Sequence, residues 1–217
     1  MIEGLHVACG PEAVLVAADR PLRTLSSAVL RGGLAEARTL VNLHVERGEC
    51  CGDPHGMLEA YARDRGLAAP WVGLLTGART QDATMGEETA EGFRALVIAT
   101  VGLSNRMAAG RAPIARWTAS TINTMVLVEG DPEPAALVNL ALTVTEVKVL
   151  ALIDAGIVDA AGSPVSGTST DAVIVAATGR GPKARFGGPV SALGWTVARA
   201  ARRALDDGIR RWRERNP

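Results

Sequence analysis

The chain has 217 residues, with 23 basic and 23 acidic side chains and a formal net charge of zero. This balance argues against nucleic-acid binding through overall charge, and the length supports one domain over residues 1–217 with a single sizeable core. Apolar residues make up 47% and aromatic residues only 3%. We therefore expect a globular core built from Ala, Val and Leu.

The cysteines and histidines do not form a recognisable metal or disulfide pattern. Cys50 and Cys51 are adjacent, Cys9 stands alone, and the histidines include the isolated His6 and His55. A disulfide framework or a structural zinc site is not expected, and we predict no metal ligands. The first residues lack a basic segment followed by an apolar run, and we expect no membrane-spanning segment. The expected location is the cytoplasm.

Taken in chain order, the pattern of apolar residues predicts several strands followed by a strand–helix–strand–helix unit. Strands are predicted at 13–18, 25–30, 39–45, 71–76, 93–103, 121–128 and 172–177. Helices are predicted at 55–65, 133–155 and 191–213, with Gly156 ending the second. Residues 79–92 are polar and acidic, which predicts a mobile loop, and residues 106–116 are predicted to form another loop.

These elements predict an α+β (or α/β) fold. We expect a single layered domain with a mixed β-sheet covered by helices, including one long buried helix. That helix is apolar on nearly all sides, yet it contains Glu146 and Lys148. Residues two apart on a helix diverge by about 200°, so both cannot face one site. Glu146 is the better candidate for a general acid or base, and a structural ion pair is the alternative.

A second polar segment precedes the strand at 172–177. Gly167, Thr168, Ser169, Thr170 and Asp171 combine hydroxyl groups, a glycine and a carboxylate. Such a turn can present backbone N–H groups and hydroxyls to an oxyanion, and its carboxylate can orient a nucleophile or water. The alternative is a turn whose side chains bind only neighbouring backbone groups.

Polar residues also interrupt two apolar strands. Asn42 and His44 alternate with apolar neighbours, which predicts that they share one face of a strand. Thr121 and Asn123 lie at the start of another strand. These residues are candidate substrate ligands, although a histidine satisfied within the core is the commoner situation.

Seven blocks of the sequence, in the same order, resemble the adenosylcobinamide amidohydrolase family. They are residues 27–34, 41–45, 73–78, 99–105, 121–123, 145–148 and 167–172, and the resemblance covers roughly residues 22–200. Three positions depart from the family pattern: Ser120 and Ser169 replace glycines, and Val147 replaces an alanine. The departures lie beside the candidate polar groups.

The resemblance implies hydrolysis of the amide bond of adenosylcobinamide, giving adenosylcobyric acid and 1-amino-2-propanol, in cobinamide salvage for cobalamin synthesis. The partner would be a small-molecule corrinoid, no cofactor is certain, and a homo-oligomer is compatible with the sequence. In this hypothesis Glu146 or Asp171 is the base. The remaining candidates bind the scissile carbonyl or position the substrate: Thr168, Thr170, Asn123, Gly167, Asn42, His44, Asn105, Thr121 and Lys148. A corrinoid carrier without chemistry and a hydrolase of another amide are the alternatives.

A second likeness concerns the strand–long helix–strand unit ending in Gly-Thr-Ser-Thr-Asp. It resembles the second half of the self-processing aminopeptidase and ornithine acetyltransferase group, whose members are layered sandwiches. Those enzymes use an N-terminal nucleophile that chain cleavage creates. By this likeness Thr121 would hold the equivalent position.

Overall fold

A computed structural model describes residues 1–46, 52–114 and 120–216 of the chain. Its main strands are β1 (Leu5–Cys9), β2 (Ala13–Ser26), β3 (Gly33–His44), β4 (Trp71–Thr76), β5 (Thr84–Ala90), β6 (Phe93–Val101), β8 (Ile122–Glu129) and β11 (Ala172–Ala177). Two-residue strands are β7 (Arg106–Met107), β9 (Asp131–Pro132), β10 (Gly167–Thr168) and β12 (Lys183–Ala184). The helices are α1 (Pro54–Asp64), α2 (Pro134–Asp154) and α3 (Ala192–Arg215).

The eight main strands form one mixed sheet in the order β4-β3-β2-β11-β8-β6-β5, and β1 pairs with β2 at its side. β2 and β3 are long, and their register shifts between Ala17 and Leu22. Before the shift β2 pairs with β1, and after it β2 pairs with β11. The sheet thereby bends at the shift and folds over onto itself.

The fold-over produces four layers. One apolar cluster contains strand and loop residues but no helix residue, and it joins Leu40 and Leu74 of one half of the sheet to Ile98 and Met125 of the other. The alternate residues of β6 and β8, such as Val97 and Val126, face α2 and α3 instead. α1 covers the outer face of β3 and β4. The chain is therefore a sandwich of two sheet layers with helices on both outer faces, because central strands such as β6 and β8 bury both their faces.

Local sequence accounts for the ends of the helices. The Asp53 side chain accepts a hydrogen bond from the Gly56 amide at the start of α1, and Ser191 does the same for the Gly194 amide at the start of α3. Gly156 follows α2 with a φ of 63°, a left-handed conformation that ends the helix. The predicted helix boundaries are confirmed to within about two residues, within the usual uncertainty of helix ends.

The α+β fold class and the mixed sheet are confirmed, but three local predictions are wrong. Residues 79–92 are not a loop, because they form a short 3₁₀ turn at Thr80–Asp82 and then β5, which pairs with β6. Within the predicted loop 106–116, β7 pairs with β10, and residues 115–116 lie outside the described residues.

The third correction concerns α2, which is only partly buried. Ala136, Leu140 and Val144 pack into the core, whereas Val138 and Leu142 are exposed. By length and composition alone, α2 is also apolar enough to cross a membrane, a test that the core helix of a soluble protein passes as well. The apolar composition of a helix does not by itself determine what covers each of its faces.

Candidate functional site

The candidate site lies at one end of the sandwich, between its two sheet layers. There the first residues of β8 and β11, which run parallel with Asn123 beside Ala172, meet the last residues of β3, β4 and β6. The inward-facing positions change from apolar to polar at this end, where Asn42, Thr76 and Thr100 are all buried. Buried polar side chains of this kind must be hydrogen-bonded, which fixes their arrangement.

An open cleft of about 360 Å³ adjoins these polar residues. Its lining consists of Ser27, Val29, Val45, Pro54, Leu74, Leu75, Thr76, Gly77, Thr121, Ser169, Thr170, Asp171 and Ala172. The cleft is mostly apolar with a few convergent polar groups, as is typical of small-molecule sites. A second cleft of about 300 Å³ shares Ser27, Asp171 and Ala172 and also contains Lys148.

Asp171 accepts hydrogen bonds from four donors. Its Oδ1 accepts from the Ile122 amide at 3.0 Å and from the Thr168 hydroxyl at 2.5 Å. Its Oδ2 accepts from Lys148 Nζ at 2.5 Å and from the Thr168 amide at 3.1 Å. Because an ionised carboxylate has about four lone-pair positions, these four donors occupy all of the positions at which it can accept a hydrogen bond. Asp171 therefore ties the starts of β8 and β11 to α2.

Gly167 is required by the close approach of this ion pair. A Cβ at Gly167 would lie 2.1 Å from Asp171 Oδ2 and 2.8 Å from Lys148 Nζ. Both charged side chains are largely buried, so neither can move aside into water. The glycine thus makes space for the ion pair, and its predicted backbone contact with the scissile carbonyl stays a prediction.

A buried hydrogen-bond network crosses from one sheet layer to the other. The Thr121 hydroxyl lies 3.1 Å from Asn123 Oδ1, and Asn123 Nδ2 donates to Asn42 Oδ1 at 2.8 Å and to the Leu75 carbonyl at 2.9 Å. Asn42 Nδ2 in turn donates to Thr100 Oγ1 at 2.9 Å. Both N–H groups of Asn123 are thus used within the protein. Asn123 orients Thr121 and has no donor left for a scissile carbonyl.

The hydroxyl groups at the cleft surface come from Thr121, Ser169 and Thr170. Thr121 Oγ1 donates to the Thr170 carbonyl at 2.7 Å. Asn105 Nδ2 donates to Ser169 Oγ at 2.6 Å, which leaves the Ser169 hydroxyl proton to donate in turn. Thr170 Oγ1 donates weakly, at 3.4 Å, to the Ser120 carbonyl. The predicted Ser/Thr turn therefore does reach the cleft.

His44 lies at the end of β3 and is not itself part of the cleft lining, although its neighbours Val45 and Thr76 are. Its Nδ1 lies 2.9 Å from the Ala78 carbonyl. A carbonyl can only accept, so Nδ1 carries the proton, and in the neutral imidazole Nε2 is then the basic nitrogen. This tautomer makes His44 suited to accept a proton as well as to bind substrate.

Glu146 does not belong to this site. It is exposed on α2 and lines neither cleft. The prediction that it is a buried carboxylate at the site is wrong, because α2 turns Lys148, not Glu146, towards Asp171. The helical argument that only one of the two residues can face the site agrees with this geometry. Within residues 1–46, 52–114 and 120–216, no three or more His, Cys, Asp or Glu side chains form a group that could hold a metal ion.

A family model described as adenosylcobinamide amidohydrolase matches residues 1–217. The chain belongs to this family. The chain is also 28% identical over 189 residues to the adenosylcobinamide amidohydrolase of Methanosarcina mazei, a match that covers 83% of this chain and 86% of that protein. As a member of the adenosylcobinamide amidohydrolase family, the chain is placed among hydrolases.

Two solved structures resemble the fold of this family member. The PH0078 protein of Pyrococcus horikoshii superposes with a TM-score of 0.52 at 10% identity, over 96% of this chain and 85% of that one. A β-aminopeptidase from a Burkholderia species gives a TM-score of 0.52 at 12% identity, over 96% of this chain and 84% of that one. At this identity the likeness concerns the fold alone.

Some lining residues of the family member's cleft were not predicted from its sequence. Ser27, Thr76 and Gly77 lie within the blocks that resemble the family, but no chemical pattern distinguished them from ordinary turn residues. Ser169 was noted as one hydroxyl of the polar turn and as a departure from the family pattern, but it was not predicted as a site residue. Its position beside Thr170 and Asp171 in the sequence was the available signal, and in the structure Ser169 is part of the cleft lining.

Proposed function

We propose that the chain hydrolyses the amide bond of adenosylcobinamide and releases adenosylcobyric acid and 1-amino-2-propanol. Family membership supports this reaction, and the relative from M. mazei carries the corresponding name. The observation that carries the proposal is the group of Thr121, Ser169 and Thr170 hydroxyls at the wall of an open cleft, in which Thr121 holds the Thr170 backbone through its carbonyl. Such preorganisation is what amide hydrolysis requires of its polar groups.

The size of the cleft fits the reacting arm of the substrate better than the whole molecule. A volume of about 360 Å³ is near the lower end of the roughly 300–1,000 Å³ of small-molecule sites. In the proposal, the propionamide arm and its amino alcohol enter the cleft, and the corrin ring lies across its mouth. The apolar residues Val29, Val45 and Pro54 line the cleft and offer contacts for the arm.

The proposed chemistry is attack of water on the amide carbonyl. His44 Nε2 takes a proton from the water as its oxygen forms a bond to the carbonyl carbon, and the Ser169 and Thr170 hydroxyls donate to the oxygen that becomes negative. The C–N bond then breaks, the amine leaves with the proton returned by His44, and the corrinoid keeps a carboxylate. Asp171 acts as a positioning residue that holds the Ile122 amide and the Thr168 turn.

The decisive experiment incubates the purified chain with adenosylcobinamide and follows both products by chromatography and mass spectrometry. The proposal expects equal amounts of adenosylcobyric acid and 1-amino-2-propanol. Tight binding of adenosylcobinamide without release of the amine would indicate the corrinoid carrier instead. Turnover of other amides in a substrate panel, without turnover of adenosylcobinamide, would indicate a different amidohydrolase.

The role of His44 is tested by substitution. If His44 is the base, its neutral Nε2 supplies the lone pair that accepts the proton. His44→Asn should therefore lower kcat by about 10²–10⁴-fold. A His44→Asn variant with the wild-type rate would remove His44 from the mechanism.

A further inference from the structure

The outer face of α2 is an apolar surface that no other part of residues 1–46, 52–114 and 120–216 covers. Val138, Leu142 and Ile153 are 48%, 57% and 45% exposed, and Val149 between them is half-buried. They follow one another at spacings of four, seven and four residues, so they form a continuous stripe along a helix of 21 residues. The opposite side of the same helix packs into the core. α2 thus has two apolar faces, and the fold of one chain covers only one of them.

The loop before α3 exposes further apolar side chains, Phe186 and Val190, which are 68% and 98% exposed. This loop is held on another face of α2, because Gly187 lies against Leu140 and the Ala136 carbonyl, so it does not extend the stripe. The stripe itself exposes on the order of 300 Å² of apolar surface, within the range of the largest patch of a typical monomer. A standard interface buries roughly 800 Å² from each partner, so the stripe supplies its apolar centre and the neighbouring polar residues its rim.

The order of the apolar residues is self-complementary. In an antiparallel pair of α2 helices related by a two-fold axis, the residue numbers of every facing pair add up to the same total. Val138 would then face Ile153 of the second copy, and Leu142 would face Val149, in both directions. We propose that α2 docks on α2 of a second copy of this chain, giving a two-fold homodimer. A two-fold interface requires such a self-complementary patch.

The single charge beside the stripe lies at the edge of this pairing. The same two-fold brings the two Glu146 side chains to the same side of the pair, close to the axis. Glu146 is exposed, so the repulsion between the two carboxylates is screened by solvent. The charge also argues against a membrane surface as the occupant, because helices that lie on membranes carry Lys and Arg beside their apolar face.

The first experiment measures the molar mass of the full chain from about 1 to 100 µM by sedimentation equilibrium. The dimer predicts a mass that rises from 22.5 kDa to twice that value. Leu142→Glu should weaken the dimer about a hundredfold or more, since it places a charge in the centre of the interface. Leu34→Glu, on a comparably exposed leucine of β3, is the matched control and should leave the dimer intact. Circular dichroism establishes that both variants fold.

The second experiment tests the antiparallel geometry with a cysteine pair in a background in which Cys9, Cys50 and Cys51 are serine. A chain carrying Val138→Cys and Ile153→Cys should form disulfide-linked dimers. The two positions lie about 22 Å apart on one helix and cannot bridge within a chain. The pair Val138→Cys and Leu34→Cys should not crosslink.

Three results would overturn the proposal: a wild-type monomer at 100 µM, an undiminished dimer in Leu142→Glu, or binding of wild-type monomer to phosphatidylglycerol vesicles, which would assign the face to a membrane.

Discussion

Asp171 receives hydrogen bonds from the Ile122 amide, from both donors of Thr168 and from Lys148. A carboxylate in this setting holds neighbouring groups in place more readily than it takes a proton from water, since each of its lone pairs is already engaged. The prediction that Asp171 orients other groups agrees with this geometry better than the alternative that it acts as the base. The sequence could suggest its importance but not its role, because the role depends on a lysine 23 residues away.

Asp171→Asn should destabilise the protein by about 3–5 kcal/mol, because it leaves the buried Lys148 ammonium without a counter-charge. Urea unfolding measures the change. Lys148→Met combined with Asp171→Asn should recover part of the loss, as it removes the unpaired charge. A fully stable Asp171→Asn variant would contradict the view that this pair anchors β8 and β11 to α2.

Glu146→Gln is expected to leave both stability and turnover of adenosylcobinamide within twofold of wild type, since Glu146 is exposed outside the clefts. Steady-state kinetics and urea unfolding provide the measurement. A loss of turnover by orders of magnitude would restore Glu146 as a catalytic candidate and would contradict the site described above.

Thr121→Val removes one hydroxyl and keeps the shape of the side chain. We expect kcat/KM on adenosylcobinamide to fall by about 10²-fold, the scale seen when one preorganised polar group is removed from a reaction centre. Thr24→Val is the matched control, because the Thr24 hydroxyl is also buried but binds the Ala35 carbonyl outside the cleft. Equal rates in the two variants would exclude a role of the Thr121 hydroxyl in the reaction.

At the scale of single elements, β5 shows why a polar segment need not be a loop. Thr84 and Gly86 alternate with exposed residues and face α3, and the Thr84 hydroxyl donates to the Ala204 carbonyl at 2.6 Å. Two of the acidic residues that suggested a lid pair with arginines of α3: Glu88 with Arg203 and Asp82 with Arg215. The alternation was too weak to predict a strand, because small residues form the buried face.

Gly86→Ala tests this packing. A Cβ at Gly86 would lie 2.1 Å from the Ala200 carbonyl oxygen, so the substitution must push α3 away from β5 and should cost about 1–3 kcal/mol. Gly188→Ala, where a Cβ meets no atom within 4 Å, should be close to neutral. Thermal and urea unfolding of both variants supply the comparison, and equal stabilities would indicate that α3 does not pack closely on β5.

The length of α2 was predictable and its surroundings were not. Proline at the first turn and Gly156 after the last residue mark the ends of the helix. Its composition indicated burial on all sides, yet Leu142 is exposed. An apolar side chain at such a position requires a covering surface, and the sequence does not specify whether its own core or another molecule provides it.

At the scale of the whole molecule, the polar residues singled out in the sequence converge only because the sheet folds over. Thr121, Thr170 and Asp171 line one cleft, and Asn42 reaches Asn123 from the opposite layer. Strand patterns predicted which residues are polar and inward-facing. They could not predict that β3 would lie across from β8, since that contact depends on the bend of β2 and β3.

The mass of the intact chain distinguishes attack by water from a nucleophile created by chain cleavage. We expect active protein to consist of one uncut chain of 22.5 kDa. Cleavage of the peptide bond before Thr121 would give two fragments. If activity rises with this cleavage, Thr121 is instead an N-terminal nucleophile activated by its own amine. Mass spectrometry on the assayed sample decides between them.

β2 passes through the bend and pairs with β1 on one side of it and with β11 on the other. One strand therefore belongs to both halves of the sandwich, and neither half can unfold without breaking the pairing of β2 in the other half. We expect calorimetry to give one unfolding transition whose calorimetric and van't Hoff enthalpies agree. The walls of the cleft, which belong to different halves, would then keep their separation until the whole domain unfolds.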